Sequence, residues 1–208
     1  MNSELPFAPA SERNKRPILE CLRLVAPQQG EVLEIGSGTG QHAVFFAERL
    51  PGLSWQASER SEELEGLNAR IEREAGVPMP AAICLEIERD PWPNQKFDLV
   101  FSSNTCHIMS WSAVQAMMRG VGELLREGGC LCIYGPFNRS GEFTAPSNED
   151  FDRQLRLRDP QMGLRDIEAV EQVAHLQGLV MEAIWDMPAN NFFLVLRKTR
   201  AGEIGDAA

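Results

Sequence analysis

The stretch Val32-Leu-Glu-Ile-Gly-Ser-Gly-Thr-Gly40 constrains this chain most. An apolar run breaks into glycines at positions 36, 38 and 40, and a helical pattern, Gln41-His-Ala-Val-Phe-Phe-Ala-Glu48, follows at once. A buried strand that turns through glycines into a helix lets the backbone approach a ligand that side chains would exclude. Such a turn lies at the carboxyl end of a strand, where open α/β sheets bind ligands. The same order then repeats. Strand patterns at 31–35, 54–58, 81–87, 97–102 and 130–134 are interleaved with helical patterns at 41–50, 61–76 and 110–126. A further helix reads over 14–26, behind an irregular arm at 1–12. This alternation predicts a parallel sheet with helices on both faces and right-handed crossovers. The end of the chain differs. After helical stretches at 148–157 and 164–177, strands at 179–187 and 192–197 are separated only by Pro188-Ala-Asn-Asn191. So short a link makes an antiparallel hairpin.

The chain has 208 residues, 43% apolar and 24% charged, which fits one soluble domain over 1–208 with a flexible tail from 199. No apolar run approaches the roughly 18 residues of a membrane span. The N-terminus has no basic region followed by an apolar one, so a cytoplasmic location is expected. Net charge is −10 and the basic residues are scattered among acids, as in Arg153-Gln-Leu-Arg-Leu-Arg-Asp159. That argues against nucleic acid, which selects a basic stripe. It leaves a small-molecule substrate, no membrane partner, and a monomer or homodimer as the expectation. The five cysteines are odd in number and show no CxxC spacing. They suggest no disulfide framework and no metal site, and Cys130 and Cys132, two apart in an apolar strand, read as buried thiols on one face.

Two cofactor readings compete for the glycine turn. One is a dinucleotide. The other is S-adenosylmethionine (SAM). Both use an acid at the end of the second strand to hold ribose hydroxyls, and Glu59, 19 residues after Gly40, suits either. The dinucleotide fingerprint is GxGxxG, which seats a pyrophosphate on the helix N-terminus. Here the spacing is GxGxG, with Glu34 just ahead of it. SAM carries an amino group and no phosphate, so a carboxylate there suits it.

Further segments carry a resemblance. Glu12-Arg-Asn-Lys-Arg-Pro-Ile18, Val32 through His42, Asn104-Thr-Cys-His-Ile108, Phe151-Asp-Arg-Gln-Leu-Arg-Leu-Arg-Asp-Pro160 and Met187-Pro-Ala-Asn-Asn191 resemble an uncharacterised class I methyltransferase family, the methyltransferase-like protein 26 type, over residues 8–198. The resemblance implies a Rossmann-like α/β fold, a seven-stranded sheet that is mostly parallel, and SAM as cofactor. It implies no particular methyl acceptor. Carried onto this chain, Gly36, Ser37, Gly38 and Gly40 lie along the methionine and ribose of SAM, with Glu34 near its amino group. Glu59, followed by Arg60, chelates the ribose. Glu86 lies near the adenine amine and Ile87 flanks the ring, although Glu86 stands where the family shows Asp. Asn104 sits where the methyl group would emerge.

Methyl transfer asks mainly for positioning, and sometimes for a general base. His107 is the candidate base because imidazole titrates near neutral pH; the alternative is that it caps or packs the next helix. Asn104 shares the catalytic position. The segment lacks the NPPY or DPPY form of many amino-methylating enzymes. His42 either touches cofactor or serves structure. Arg13 and Asn14, in the N-terminal arm, and Tyr134, ending the fifth strand, are candidate substrate contacts. Arg156 is either a carboxylate clamp or part of a helix-face ion network. The expected function is SAM-dependent methyl transfer to a small molecule. The alternatives are a non-catalytic SAM-binding or partner-binding module and a nicotinamide-dependent oxidoreductase.

Overall fold

Val32 and Leu33 are both fully buried, and so are Leu99 and Val100, and Cys130 through Ile133. Neighbouring strand residues point to opposite faces, so these runs must be covered on both sides, as parallel sheets are. The computed structural model describes residues 4–199. Its elements in chain order are α1 (Pro9–Val25), β1 (Gly30–Ile35), α2 (Gln41–Arg49), β2 (Leu53–Glu59), α3 (Leu64–Glu74), β3 (Ile83–Cys84), β4 (Phe97–Ser103), α4 (Trp111–Leu124), β5 (Leu125–Gly135), β6 (Phe137–Asn138), α5 (Pro146–Arg158), β7 (Arg165–Asp166), α6 (Ile167–His175), β8 (Leu179–Met187) and β9 (Asn191–Lys198).

Seven strands form one sheet in the order β3-β2-β1-β4-β5-β9-β8, and β6 pairs with β7 apart from it. Strands β1 to β5 run parallel. Strand β9 is antiparallel to both β5 and β8. The expected hairpin is therefore present, and it folds back so that its second strand lies against β5. One face of the sheet packs Ile18, Leu22, Phe46 and Leu67 of α1, α2 and α3 over Val32, Trp55, Leu99 and Phe101. The other packs Val114, Met117, Val121 and Val170 of α4 and α6 over Leu33, Val100, Leu131 and Leu194.

Three expectations need correction. The arm is irregular only to Ala8, because α1 starts at Pro9. Proline is well placed at a first helical position, where its missing N–H costs nothing. The third strand spans Ile83–Cys84 and not 81–87. Side chains do its pairing instead: Gln56 donates Nε2 to the Ala81 carbonyl (2.9 Å) and Asn68 accepts the Ala82 N–H (2.8 Å). The fifth strand begins earlier than expected, at Leu125, directly after α4. Of the expected tail, residues 200–208 lie outside the described residues. No helix among the described residues is long and apolar enough to cross a membrane.

Candidate cofactor site

The glycine turn joins β1 to α2, and all of its glycines adopt positive φ: +71° at Gly36, +53° at Gly38 and +78° at Gly40. Their surroundings differ. A Cβ on Gly36 would meet Thr105 Cγ2 at 2.4 Å, and one on Gly40 would meet Leu67 Cδ1 at 2.7 Å. A Cβ on Gly38 would meet nothing within 4 Å. Gly38 thus faces open space, while the outer two glycines are sites of close packing.

The turn is stitched to its neighbours. Ser37 donates its N–H to the Ser58 carbonyl (3.0 Å), and Ser58 donates its hydroxyl to the Glu34 carbonyl (2.7 Å). Ser102 donates to the Ile35 carbonyl (2.9 Å) and contacts the Thr105 hydroxyl (2.5 Å). Glu59, at the end of β2, accepts the Gly38 N–H through Oε2 (2.8 Å) and the Arg60 N–H through Oε1 (2.9 Å). Its side chain is 12% exposed. The Arg60 guanidinium pairs with Glu62 (3.1 Å) and more loosely with Glu59 Oε1 (3.9 Å), so Arg60 meets Glu59 through both its backbone N–H and its side chain.

Glu34 lies at the base of the turn, 1% exposed, and accepts the Trp55 indole N–H (2.8 Å). Burial pushes its carboxyl up to about 7, with the Glu59 charge adding to the rise and Trp55 and Ser37 opposing it. The Glu59 carboxylate beside the turn favours a cation over a phosphate, and Glu34 adds to that preference as it ionises.

Leu85 donates its N–H to the Glu59 carbonyl (3.0 Å) and brings the segment after β3 beside the acid. Glu86 sits in a turn two residues beyond β3, a correction to its expected place at the strand's end. Its N–H goes to Asp90 (2.7 Å) and its carboxylate pairs with Arg89 (3.1 Å). Ile87 is partly buried against the core on the α4 side. Asn104 follows β4 at φ +59°, a left-handed conformation that asparagine tolerates. Its N–H reaches the Tyr134 carbonyl (2.8 Å).

His107 is 6% exposed, with its ring edge-to-face on Phe151 (centroids 5.2 Å apart). Burial lowers it to about 4, and Arg165 adds to the fall. It is a neutral imidazole at pH 7. Arg165, which the sequence did not single out, holds this turn. It donates Nε to the Cys106 carbonyl (3.0 Å) and Nη2 to the carbonyls of Met109 and Gln161, while Gly163 donates its N–H to the His107 carbonyl (2.9 Å).

The candidate substrate contacts are distributed unevenly. Asn14 and Tyr134 come together: Asn14 Oδ1 lies 2.7 Å from His42 Nε2, and Asn14 opposes the rise that burial gives the Tyr134 phenol. His42 stacks on Phe46 and is lowered to about 4 by burial, which is the structural role. Arg13 is exposed on α1. Arg156 donates Nε to Asp152 Oδ2 (2.7 Å), and Asp152 Oδ1 accepts the Leu164 N–H (2.7 Å). That is an ion pair within α5 that fastens the helix to the segment holding His107. Trp55, Arg70 and Arg165 also escaped sequence reasoning. Only Arg70 left a trace, as an arginine on the apolar stripe of α3 beside Leu67 and Ile71.

A family model described as "Protein of unknown function (DUF938)" matches residues 5–198. Solved structures match at low identity. An O-methyltransferase family protein from Burkholderia thailandensis is 16% identical with a TM-score of 0.74, over 93% of this chain and 58% of that one. Human N-acetylserotonin methyltransferase, solved with SAM, is 13% identical with a TM-score of 0.72, over 92% and 53%. A sarcosine dimethylglycine methyltransferase from Galdieria sulphuraria, a putative assignment in its own description, is 12% identical with a TM-score of 0.75, over 91% and 87%. The chain thus spans a little over half the length of the first two. The fold is the Rossmann-like methyltransferase fold.

Proposed function

The chain belongs to this DUF938 family, and from that premise we propose that it is a SAM-dependent methyltransferase acting on a small molecule. One observation carries the choice of cofactor: the Gly38 N–H is taken by the Glu59 carboxylate. In a dinucleotide site the turn offers its N–H groups and the helix N-terminus to a pyrophosphate. Here a protein carboxylate already occupies the central N–H, and Glu34 lies beneath it. Such a turn rejects an anion and accepts a nucleoside that carries cationic groups. The antiparallel β9 between β5 and β8 also departs from the dinucleotide-binding order.

The residues fit the cofactor. Gly38 leaves space over the turn, Glu59 has a partly exposed carboxylate for the ribose hydroxyls, and Leu85 to Ile87 stand beside Glu59 for the adenine. Ser37, Gly36 and Gly40 shape the turn, Arg60 fixes Glu59, and Glu34 serves the amino group. Bound SAM supplies an electrophilic methyl group. The protein supplies orientation: Asn104 at the mouth and the Arg165-held turn set the acceptor's approach, with Tyr134, Asn14 and Arg13 on the arm side. His107, neutral and buried, can accept a proton only from an acceptor that becomes strongly acidic as it is methylated. Positioning therefore carries most of the rate.

That weak base favours one second reading, a SAM-binding module without catalysis. Incubation with methyl-labelled SAM and a metabolite extract separates the two. A labelled small-molecule product supports the methyltransferase. Binding of SAM with no transfer to any small molecule contradicts it.

A further inference from the structure

Two buried polar side chains tie the N-terminal segment to the glycine turn. Arg70, from α3, donates Nε to the Thr39 carbonyl (2.6 Å) and Nη2 to the Pro6 carbonyl (2.6 Å), while Nη1 pairs with Glu74. Gln41, the first residue of α2, accepts the Ala8 N–H (2.6 Å) and the Thr39 hydroxyl (3.0 Å) on the same Oε1. Its Nε2 donates to Glu12 (3.2 Å). Pro6 also lies on α3, where a Cβ on Gly66 would meet Pro6 Cγ at 3.0 Å. Arg70 and Gln41 are each 5% exposed.

A buried guanidinium is costly unless its donors are satisfied. Arg70 is satisfied on one side by the turn and on the other by the segment. If Pro6 leaves, Nη2 loses its partner and the reason for Nε to stay on Thr39 weakens. The Ala8 and Thr39 bonds share one Gln41 oxygen in the same way. Beyond the Ser37–Ser58 bonds, the turn is fastened at two further points, Gly38 to Glu59 and Thr39 to Arg70. The second depends on the N-terminal segment.

We infer that Arg70 is a positioning residue for the cofactor turn and acts through the N-terminal segment, so that seating of Pro6–Ala8 and occupancy of the turn are one coupled event. The inference rests on the cofactor reading above. A ligand that holds the turn in this shape also holds the segment, and the segment raises the ligand's affinity by the same factor.

Phe7, between the two anchored residues and 62% exposed, is the reporter. Chymotrypsin cuts after it only when the backbone leaves its hydrogen bonds. The full chain is digested at limiting protease with and without S-adenosylhomocysteine, cleavage between Phe7 and Ala8 is followed by mass spectrometry, and binding is measured in parallel by calorimetry. The ligand should slow that cut by about fivefold or more, the low end of ordinary couplings. Arg70→Lys should bind the ligand more weakly by a similar factor and lose the protection. If the ligand binds and the cut is not slowed, the coupling is wrong while the cofactor reading stands. If Arg70→Lys merely melts lower and keeps ligand-dependent protection, Arg70 is structural and the inference fails. If the ligand does not bind, the cofactor reading falls and takes the inference with it. Should Arg70→Lys not fold, Gln41→Met makes the same comparison, and the unmodified chain decides alone.

Discussion

At the scale of the residue, Glu34 and Glu59 are the same chemistry in two environments. Glu59 accepts two backbone N–H groups at the edge of the site. Glu34 is sealed beside Trp55, and its carboxyl titrates near 7 in the fold but in the ordinary range in the unfolded chain. Below the ordinary range both states are protonated and nothing is lost. Between the ordinary range and about 7 the unfolded chain gives up its proton while the folded chain keeps it, so stability falls across that window. Glu34→Gln removes this cost. Its stability relative to the unmodified chain should improve by up to about 3 kcal/mol between pH 5 and pH 8, read from urea unfolding at the two values. A pH-independent difference would show that Glu34 is ionised in the core throughout. Glu59→Ala should weaken S-adenosylhomocysteine by about 10–100-fold, the worth of charge-assisted hydrogen bonds, by calorimetry. An unchanged affinity would move the ribose elsewhere.

At the scale of the element, the strand-turn-helix unit from β1 to α2 divides its glycines by duty. Gly36→Ala and Gly40→Ala should each destabilise by more than the roughly 1–2 kcal/mol of a left-handed residue, because Thr105 and Leu67 stand in the way. Gly38→Ala should cost only that conformational amount, and Gly38→Arg should stay folded yet lose ligand binding. Thermal melts with and without ligand check the order; equal losses at all positions would refute the division. This unit was legible in the sequence because its signals are local: an apolar run, alternate glycines and a helical period. The hairpin was legible from the shortness of Pro188–Asn191. The third strand was not, since Gln56 and Asn68 replace its ladder from distant elements. The start of α1 was missed although Pro9 at a helix start signals it. The hold of Arg165 on the His107 turn spans 59 residues from Arg165 to Cys106, and no periodicity reports such a contact.

At the scale of the whole molecule, two cores sandwich one sheet and every candidate cofactor residue lies at the ends of β1, β2 and β4 or in the segment after β3. Burial in or beside those cores leaves His42 and His107 at about 4. Unfolded, they take protons near 6.5. Stability should therefore fall as pH drops from about 6.5 toward 4, against the opposite slope from Glu34. His42→Asn with His107→Asn should flatten the fall in urea unfolding over that window; an unaltered slope would place the proton uptake elsewhere. The central claim is that the turn at 36–40 holds a cationic nucleoside and rejects a pyrophosphate. Titration calorimetry of the intact chain with S-adenosylhomocysteine, and in parallel with NADH, tests it directly. The account predicts saturable one-site binding of S-adenosylhomocysteine and none of NADH at millimolar ligand. Binding of NADH, or no binding of S-adenosylhomocysteine at that concentration, would contradict it.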